Sequence, residues 1–182
     1  MIGLIVDGAG DYAALTARYK GRVRVVKSDG PRGHTATEDA IAESSKKQVA
    51  LLSAFGCTEI AILTDFEGRT CALESFAEKI QRKAIKISNL DVTVIVADQM
   101  IENWLLADIA YLSKKKKYLK GVRSQKKYES TNGKSEIKKH FVAGFDYNEV
   151  KHSSELFPLI RVEEASKYSA SFSYFIRKLG LD

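Results

Sequence analysis

Apolar residues in this chain fall into short runs, and several runs stop on a carboxylate. Ile2-Gly3-Leu4-Ile5-Val6 ends on Asp7, Glu59 to Thr64 ends on Asp65, and Val92 to Ala97 ends on Asp98. Runs of that length bounded by turn residues predict buried strands. Arg22-Val23-Arg24-Val25-Val26 alternates charged with apolar, which predicts a half-exposed edge strand. Between the strands the spacing turns helical over residues 12–20, 37–55 and 71–88, the last with Leu73, Phe76, Ala77 and Ile80 at core positions. A β-α-β-α-β-α-β order makes an α/β fold with a central parallel sheet flanked by helices the economical architecture.

Beyond the fourth strand, Ile101 to Asp108 predicts a short helix with Ile101, Trp104, Leu105 and Asp108 on one face. Further helical segments are expected at 135–142 and 169–179, with a turn at 153–159; Phe172, Tyr174 and Phe175 read as core. We place an α/β core over residues 1–112. Residues 113–182 form a basic, mainly helical extension packed on it. Ser28 to Thr35 has the composition of a surface flap with a basic tip.

Charge sharpens this division. Residues 1–113 carry 13 Lys and Arg against 15 Asp and Glu, whereas residues 114–182 carry 16 against 8, within an overall charge of +6. Lys114, Lys115, Lys116, Lys117, Lys120, Arg123, Lys126 and Lys127 lie close together; they are either a solvated face or a nucleic-acid contact, the second favoured by Tyr118 and Tyr128 as stacking partners. No apolar stretch approaches the length of a membrane span, and the short first run lacks a basic leader, so no membrane association and a cytoplasmic location are expected. Cys57 and Cys71 lack metal-ligand spacing and are assigned to packing as reduced thiols.

Ligands of open parallel sheets bind at the C-terminal strand ends. Three acidic strand ends there, with Glu67 two residues after Asp65, predict a hard-cation site for Mg²⁺ or Mn²⁺. Asp65 and Glu67 are expected to hold the metal, with Asp7 completing the site or positioning water. Asp11, Asp98 and Glu102 are further ligand candidates. Asp7 and Asp98 could alternatively cap helices, and Asp65 and Glu67 could form a solvated turn. Lys151 or His152 could stabilise the transition state or protonate a leaving group. Gly8-Ala9-Gly10 lacks the third glycine of a dinucleotide fingerprint, and no phosphate-binding loop of the Gly-x-x-x-x-Gly-Lys type occurs. Asp7-Gly8-Ala9 also lacks the Asp-x-Asp nucleophile expected of a small-molecule phosphohydrolase.

Val6-Asp7-Gly8, Asp65-Phe66-Glu67, Glu102-Asn103-Trp104-Leu105-Leu106-Ala107-Asp108, Tyr147 to Lys151 and Ser169 to Phe175 together resemble small bacterial TOPRIM-like proteins. These are similar to the TOPRIM module of topoisomerases, primases and overcoming-lysogenization-defect class nucleases. The resemblance implies a TOPRIM-like (Rossmann-like) sheet and a Mg²⁺- or Mn²⁺-dependent endonuclease acting on DNA or RNA. It also implies a role as effector of a bacterial phage-defence system, with a separate ABC- or AAA-type ATPase as partner. Where that pattern carries Glu, positions 7 and 11 are Asp, which withdraws each carboxylate by about 1.5 Å. Either the backbone compensates or the site holds one metal. The shortening also favours the alternative of a non-catalytic TOPRIM-fold nucleic-acid-binding or scaffold module.

Overall fold

A computed structural model describes residues 1–31 and 33–181. Its centre is a four-stranded, all-parallel sheet ordered β2-β1-β3-β4, formed by β1 (Ile2–Val6), β2 (Val23–Lys27), β3 (Glu59–Asp65) and β4 (Thr93–Ala97). The register pairs Val6 with Leu63 and Asp65 with Ala97. Alternation along the strands sends side chains into two apolar layers. Leu4, Val6, Ala61, Leu63, Ile95 and Ala97 enter the larger layer, whereas Ile5, Ile60, Ile62, Val94 and Val96 enter the smaller one. Burial on both faces explains why β1 and β3 read as near-continuous apolar runs. The alternating strand β2 is indeed an edge.

The smaller layer is covered by α2 (Glu38–Ala54) and α3 (Leu73–Ser88). Thr37 caps α2 by accepting the Ala40 N–H, and Asn89 closes α3 in the left-handed conformation. On the other face lie α1 (Ala9–Tyr19), α4 (Glu102–Leu106) and most of the chain beyond residue 106. Trp104 organises that face: it is fully buried against Phe157, Phe172 and Phe175, and its indole N–H donates to Ser171 Oγ at 2.8 Å. The Arg18 guanidinium donates to the carbonyls of Phe157 and Ile160, tying α1 to the turn at 157–159. A single apolar cluster therefore runs from β1 to Leu181, and the basic half shares its core with the sheet.

The remaining helices are α5 (Ile109–Lys115), α6 (Gly133–Lys139), α7 (Glu149–Leu156), α8 (Val162–Tyr168) and α9 (Ala170–Leu179). α5, α7 and α8 are absent from the sequence expectation, which placed a turn at 153–159; at seven or eight residues each is too short for a clear apolar stripe. α1 starts three residues before Tyr12 because extended Gly8 serves as N-cap and the Asp11 carboxylate accepts its N–H. Cys57 is buried as expected, but Cys71 is exposed at the foot of α3.

Candidate functional site

β1 and β3 are adjacent and in register, so Asp7 and Thr64 leave the sheet side by side. Thr64 Oγ1 donates to Asp7 Oδ2 at 2.6 Å, fixing that carboxylate beside the end of β3. The chain then turns sharply. Phe66 and Glu67 N–H groups donate to the Ala97 and Gln99 carbonyls, and Glu67 adopts a left-handed backbone, φ +47°. A non-glycine residue in that region carries a conformational cost of about 1–2 kcal/mol. The cost is incurred at a residue whose carboxylate faces a pocket.

That pocket, of about 190 Å³, lies at the C-terminal ends of β1 and β3 and collects Asp7, Asp11, Asp65, Glu67 and Glu149 with Lys134 and Arg69. The flap supplies part of its wall through Pro31 and Gly33; Arg32, expected from the sequence as a basic tip, lies outside the described residues. Arg69 binds the flap to the β3 turn, donating to the Gly33 and Ala36 carbonyls and to Phe66 O while its guanidinium covers the Phe76 ring. Its charge is thus spent largely on backbone oxygens. Lys134 arrives from the basic half at the start of α6 and pairs with Glu149 at 3.1 Å. Gly133 permits this approach, since a Cβ there would collide with Asn103 Oδ1 and the Asn103 backbone N–H. The Asn103 amide in turn holds the preceding loop by donating to the Tyr128 and Thr131 carbonyls.

Glu102 lies buried behind the pocket. Its Oε1 accepts from the Tyr147 hydroxyl at 3.2 Å, and its Oε2 is buried with no hydrogen-bond partner. Burial raises its carboxyl to about 7, opposed by Lys134 and reinforced by Asp11 and Glu149. Burial likewise pushes Asp65 well above the ordinary range, and Asp11, Glu102, Asp7 and Glu67 push it the same way. Asp11 is raised by burial against the opposing Gly8 N–H and Lys134. For Lys134, burial favours the neutral amine, yet Glu102, Glu149 and Asp65 hold it above its usual value. The carboxylates therefore sense one another, and close pairs of like charge repel by about 1–4 kcal/mol.

Among the described residues, no group of three or more His, Cys, Asp or Glu side chains is spaced to hold a metal ion as it stands. Asp7 and Asp11 are held locally by Thr64 and Gly8, and among the described residues Lys134 opposes the raised carboxyls of Asp11 and Glu102. The donor chemistry nonetheless fits a hard divalent cation: every candidate is a carboxylate oxygen, one buried oxygen is orphaned, and negative charge is in excess.

Of the expected site residues, Asp7, Asp11, Asp65 and Glu67 line the pocket and Glu102 stands behind it. Asp98 does not join them; its Oδ2 accepts from the Ser130 N–H at 2.7 Å, beside the outer edge of β4. Lys151 is exposed on α7 and His152 is buried against Tyr118, Phe141 and Tyr147, its Nδ1 accepting the Asn148 N–H; neither lines the pocket. Burial lowers the His152 pKa, as suits a packed neutral ring. In the basic run Lys114, Lys115, Lys117, Lys120, Arg123, Lys126 and Lys127 are exposed, while Lys116 pairs with Glu155. Tyr128 is buried and bonded to His140, and Tyr118 stacks on Phe141, so both rings serve packing. Lys134, Glu149 and Arg69 were missed. The only local signal was Asn132 and Asn148 as helix N-caps, which places two charged residues at helix starts without revealing that the starts converge.

An α/β protein with an acidic pocket at the strand ends, walled partly by its basic half, is the class this geometry defines. A family described as "Domain of unknown function (DUF4276)" matches residues 23–180, and the chain belongs to it. The match spans Asp65, Glu67, Glu102, Lys134 and Glu149 and begins after Asp7 and Asp11. No curated protein and no solved structure matches the chain. Among the described residues no helix is long and apolar enough to cross a membrane.

Proposed function

We propose that the chain is a TOPRIM-like, Mg²⁺- or Mn²⁺-dependent nuclease that hydrolyses phosphodiester bonds in DNA or RNA. The observation that supports this most is the convergence of Asp7, Asp11, Asp65 and Glu67 on one pocket with buried Glu102 behind them. In this reading Asp65 and Glu67 hold the ion, and Asp7, Asp11 and Glu102 complete or steady the set. A divalent cation in such a site supplies Lewis-acid chemistry toward a phosphodiester. Thr64 fixes the Asp7 carboxylate, and the left-handed turn at Glu67 directs its side chain to the pocket. Lys134 provides the positive charge that faces the phosphate. The exposed lysines of 114–127 bind the polyanion, with a salt-dependent affinity. A separate ATPase partner and a role in phage defence belong to the same proposal.

One observation favours the second reading, a non-catalytic nucleic-acid-binding or scaffold module. Lys134 already stands among Glu102, Glu149 and Asp65, where it offsets charge without a metal.

Cleavage of plasmid, single-stranded DNA and tRNA with Mg²⁺, Mn²⁺ or EDTA separates the two, with Asp65→Ala prepared in parallel. The nuclease reading expects metal-dependent cutting that Asp65→Ala abolishes. Cutting that survives in the variant would place the chemistry elsewhere. Nucleic-acid binding unaffected by EDTA, without cutting, would favour the scaffold.

A further inference from the structure

The outer edge of β4 carries a second surface, separate from the acidic pocket. Among the described residues β4 has a strand neighbour only in β3. Ala97 O faces that neighbour, accepting the Phe66 N–H at 3.0 Å, so alternation turns the backbone N–H and C=O groups of Val94 and Val96 away from the sheet. Val94 bears this out: its N–H donates to the Gln81 side-chain carbonyl at 3.0 Å and not to a strand.

α3 on one side and the start of α9 on the other leave a groove of about 500 Å³ along this edge, with Val94 and Val96 in its wall. Its described lining includes Glu74, Glu78, Asp98 and Glu129 and no Lys or Arg, in a chain of net charge +6. Among the described residues none of these four carboxylates is in an ion pair. Tyr174, 45% exposed, stands in the same lining as an apolar contact. The groove thus combines a strand edge whose Val94 N–H is held by Gln81, apolar walls and four carboxylates without a cationic partner, of which Asp98 accepts from Ser130 and Glu129 from Ser169 and Ser171.

We propose that this groove receives an extended, basic segment of a partner protein, which adds to β4 as a fifth strand with its Lys or Arg side chains against Glu74, Glu78, Asp98 and Glu129. Strand addition draws affinity from backbone hydrogen bonds and specificity from alternate side chains. The charge excludes a nucleic acid as occupant. A second copy, which would have to pair its own edge strand β2 along β4, is the competing occupant that sedimentation tests.

The test is fluorescence polarisation of a short labelled peptide of alternating Lys and Val, titrated with the full chain. Comparators are the Glu–Val counterpart, a Lys–Val peptide N-methylated at alternate residues, and the double variant Glu74→Lys, Glu78→Lys, two exposed positions on α3. The basic peptide should bind at least about tenfold tighter than the acidic one, and N-methylation or the double variant should each weaken it by about tenfold or more. Three results would overturn the proposal: no preference for the basic peptide, indifference to N-methylation, or indifference to the double variant, which would move binding to the acidic pocket. Sedimentation showing dimers that the double variant dissociates would overturn it in favour of a second copy.

Discussion

Replacing Glu102 by Gln tests whether the acidic cluster stands against its own repulsion. Glu102 is 2% exposed, its Oε2 has no partner, and its carboxyl is raised from 4.5 to about 7. The folded chain therefore keeps this proton over a range in which the unfolded chain has released it. Because the native state then binds more protons, stability falls as pH rises from about 4.5 through about 7. At 1.36 kcal/mol per pH unit the displacement sets a ceiling of about 3 kcal/mol, and relaxation of the cluster reduces it to about 2 kcal/mol. Gln keeps the shape and cannot ionise, so between pH 5 and pH 8 the variant should lose about 2 kcal/mol less stability than the parent. Urea denaturation at the two pH values measures this directly. His140 and His152 titrate in both proteins and cancel in the difference. On the proposed function, Mn²⁺ at pH 8 should restore the parent by more than it shifts the variant. Equal pH dependence of parent and variant would refute the argument, because the buried carboxyl would then carry no charge penalty.

Glu67→Gly should relieve the left-handed backbone and, after the entropy that glycine adds to the unfolded chain, stabilise the metal-free protein by about 0.5–1 kcal/mol in thermal unfolding. The same variant should lose most of the Mn²⁺-induced rise in midpoint, so stability and ion binding move in opposite directions. Gly133→Ala drives a methyl into Asn103 and should cost about 2 kcal/mol by urea denaturation. Because the displaced segment carries Lys134, nucleic-acid affinity should fall with it, whereas Lys134→Ala should lower affinity with a smaller change in stability.

The parallel sheet was legible because burial on both faces leaves strands that are almost wholly apolar, and the acidic stops marked their C-terminal ends. Asp7 and Asp65 could be placed together from that pattern alone, since the C-terminal ends of parallel strands share one rim. Asp98 illustrates where the pattern fails: the same apolar-to-acidic transition occurs, but β4 is the sheet edge and the nearest donor is Ser130, outside the rim. Lys134 and Glu149 were illegible for a different reason. Their positions depend on Gly133 meeting Asn103 and on α7 packing against α1, contacts between distant parts of the chain that leave no local periodicity. His152 looked chemical because it follows a lysine on a basic segment, yet three aromatic rings decide its role.

The two halves meet at a pocket where charge is unbalanced, and that imbalance makes a binding prediction. A cation entering the pocket offsets Asp7, Asp11, Asp65, Glu67 and Glu149, and the same gain lowers the repulsion that a phosphate would meet there. Cation and polyanion should therefore each tighten the other, and linkage requires the two factors to be equal. With Ca²⁺ in place of Mg²⁺, chosen to keep the strand intact, single-stranded DNA affinity should rise by about tenfold or more, and Ca²⁺ affinity should rise by the same factor on adding DNA. Asp65→Asn should reduce both factors together, while substitutions at Lys114 and Lys115 should weaken DNA binding with the coupling unchanged. A coupling factor of one would mean that no cation enters the charge balance of the pocket, and the scaffold reading would then displace the nuclease.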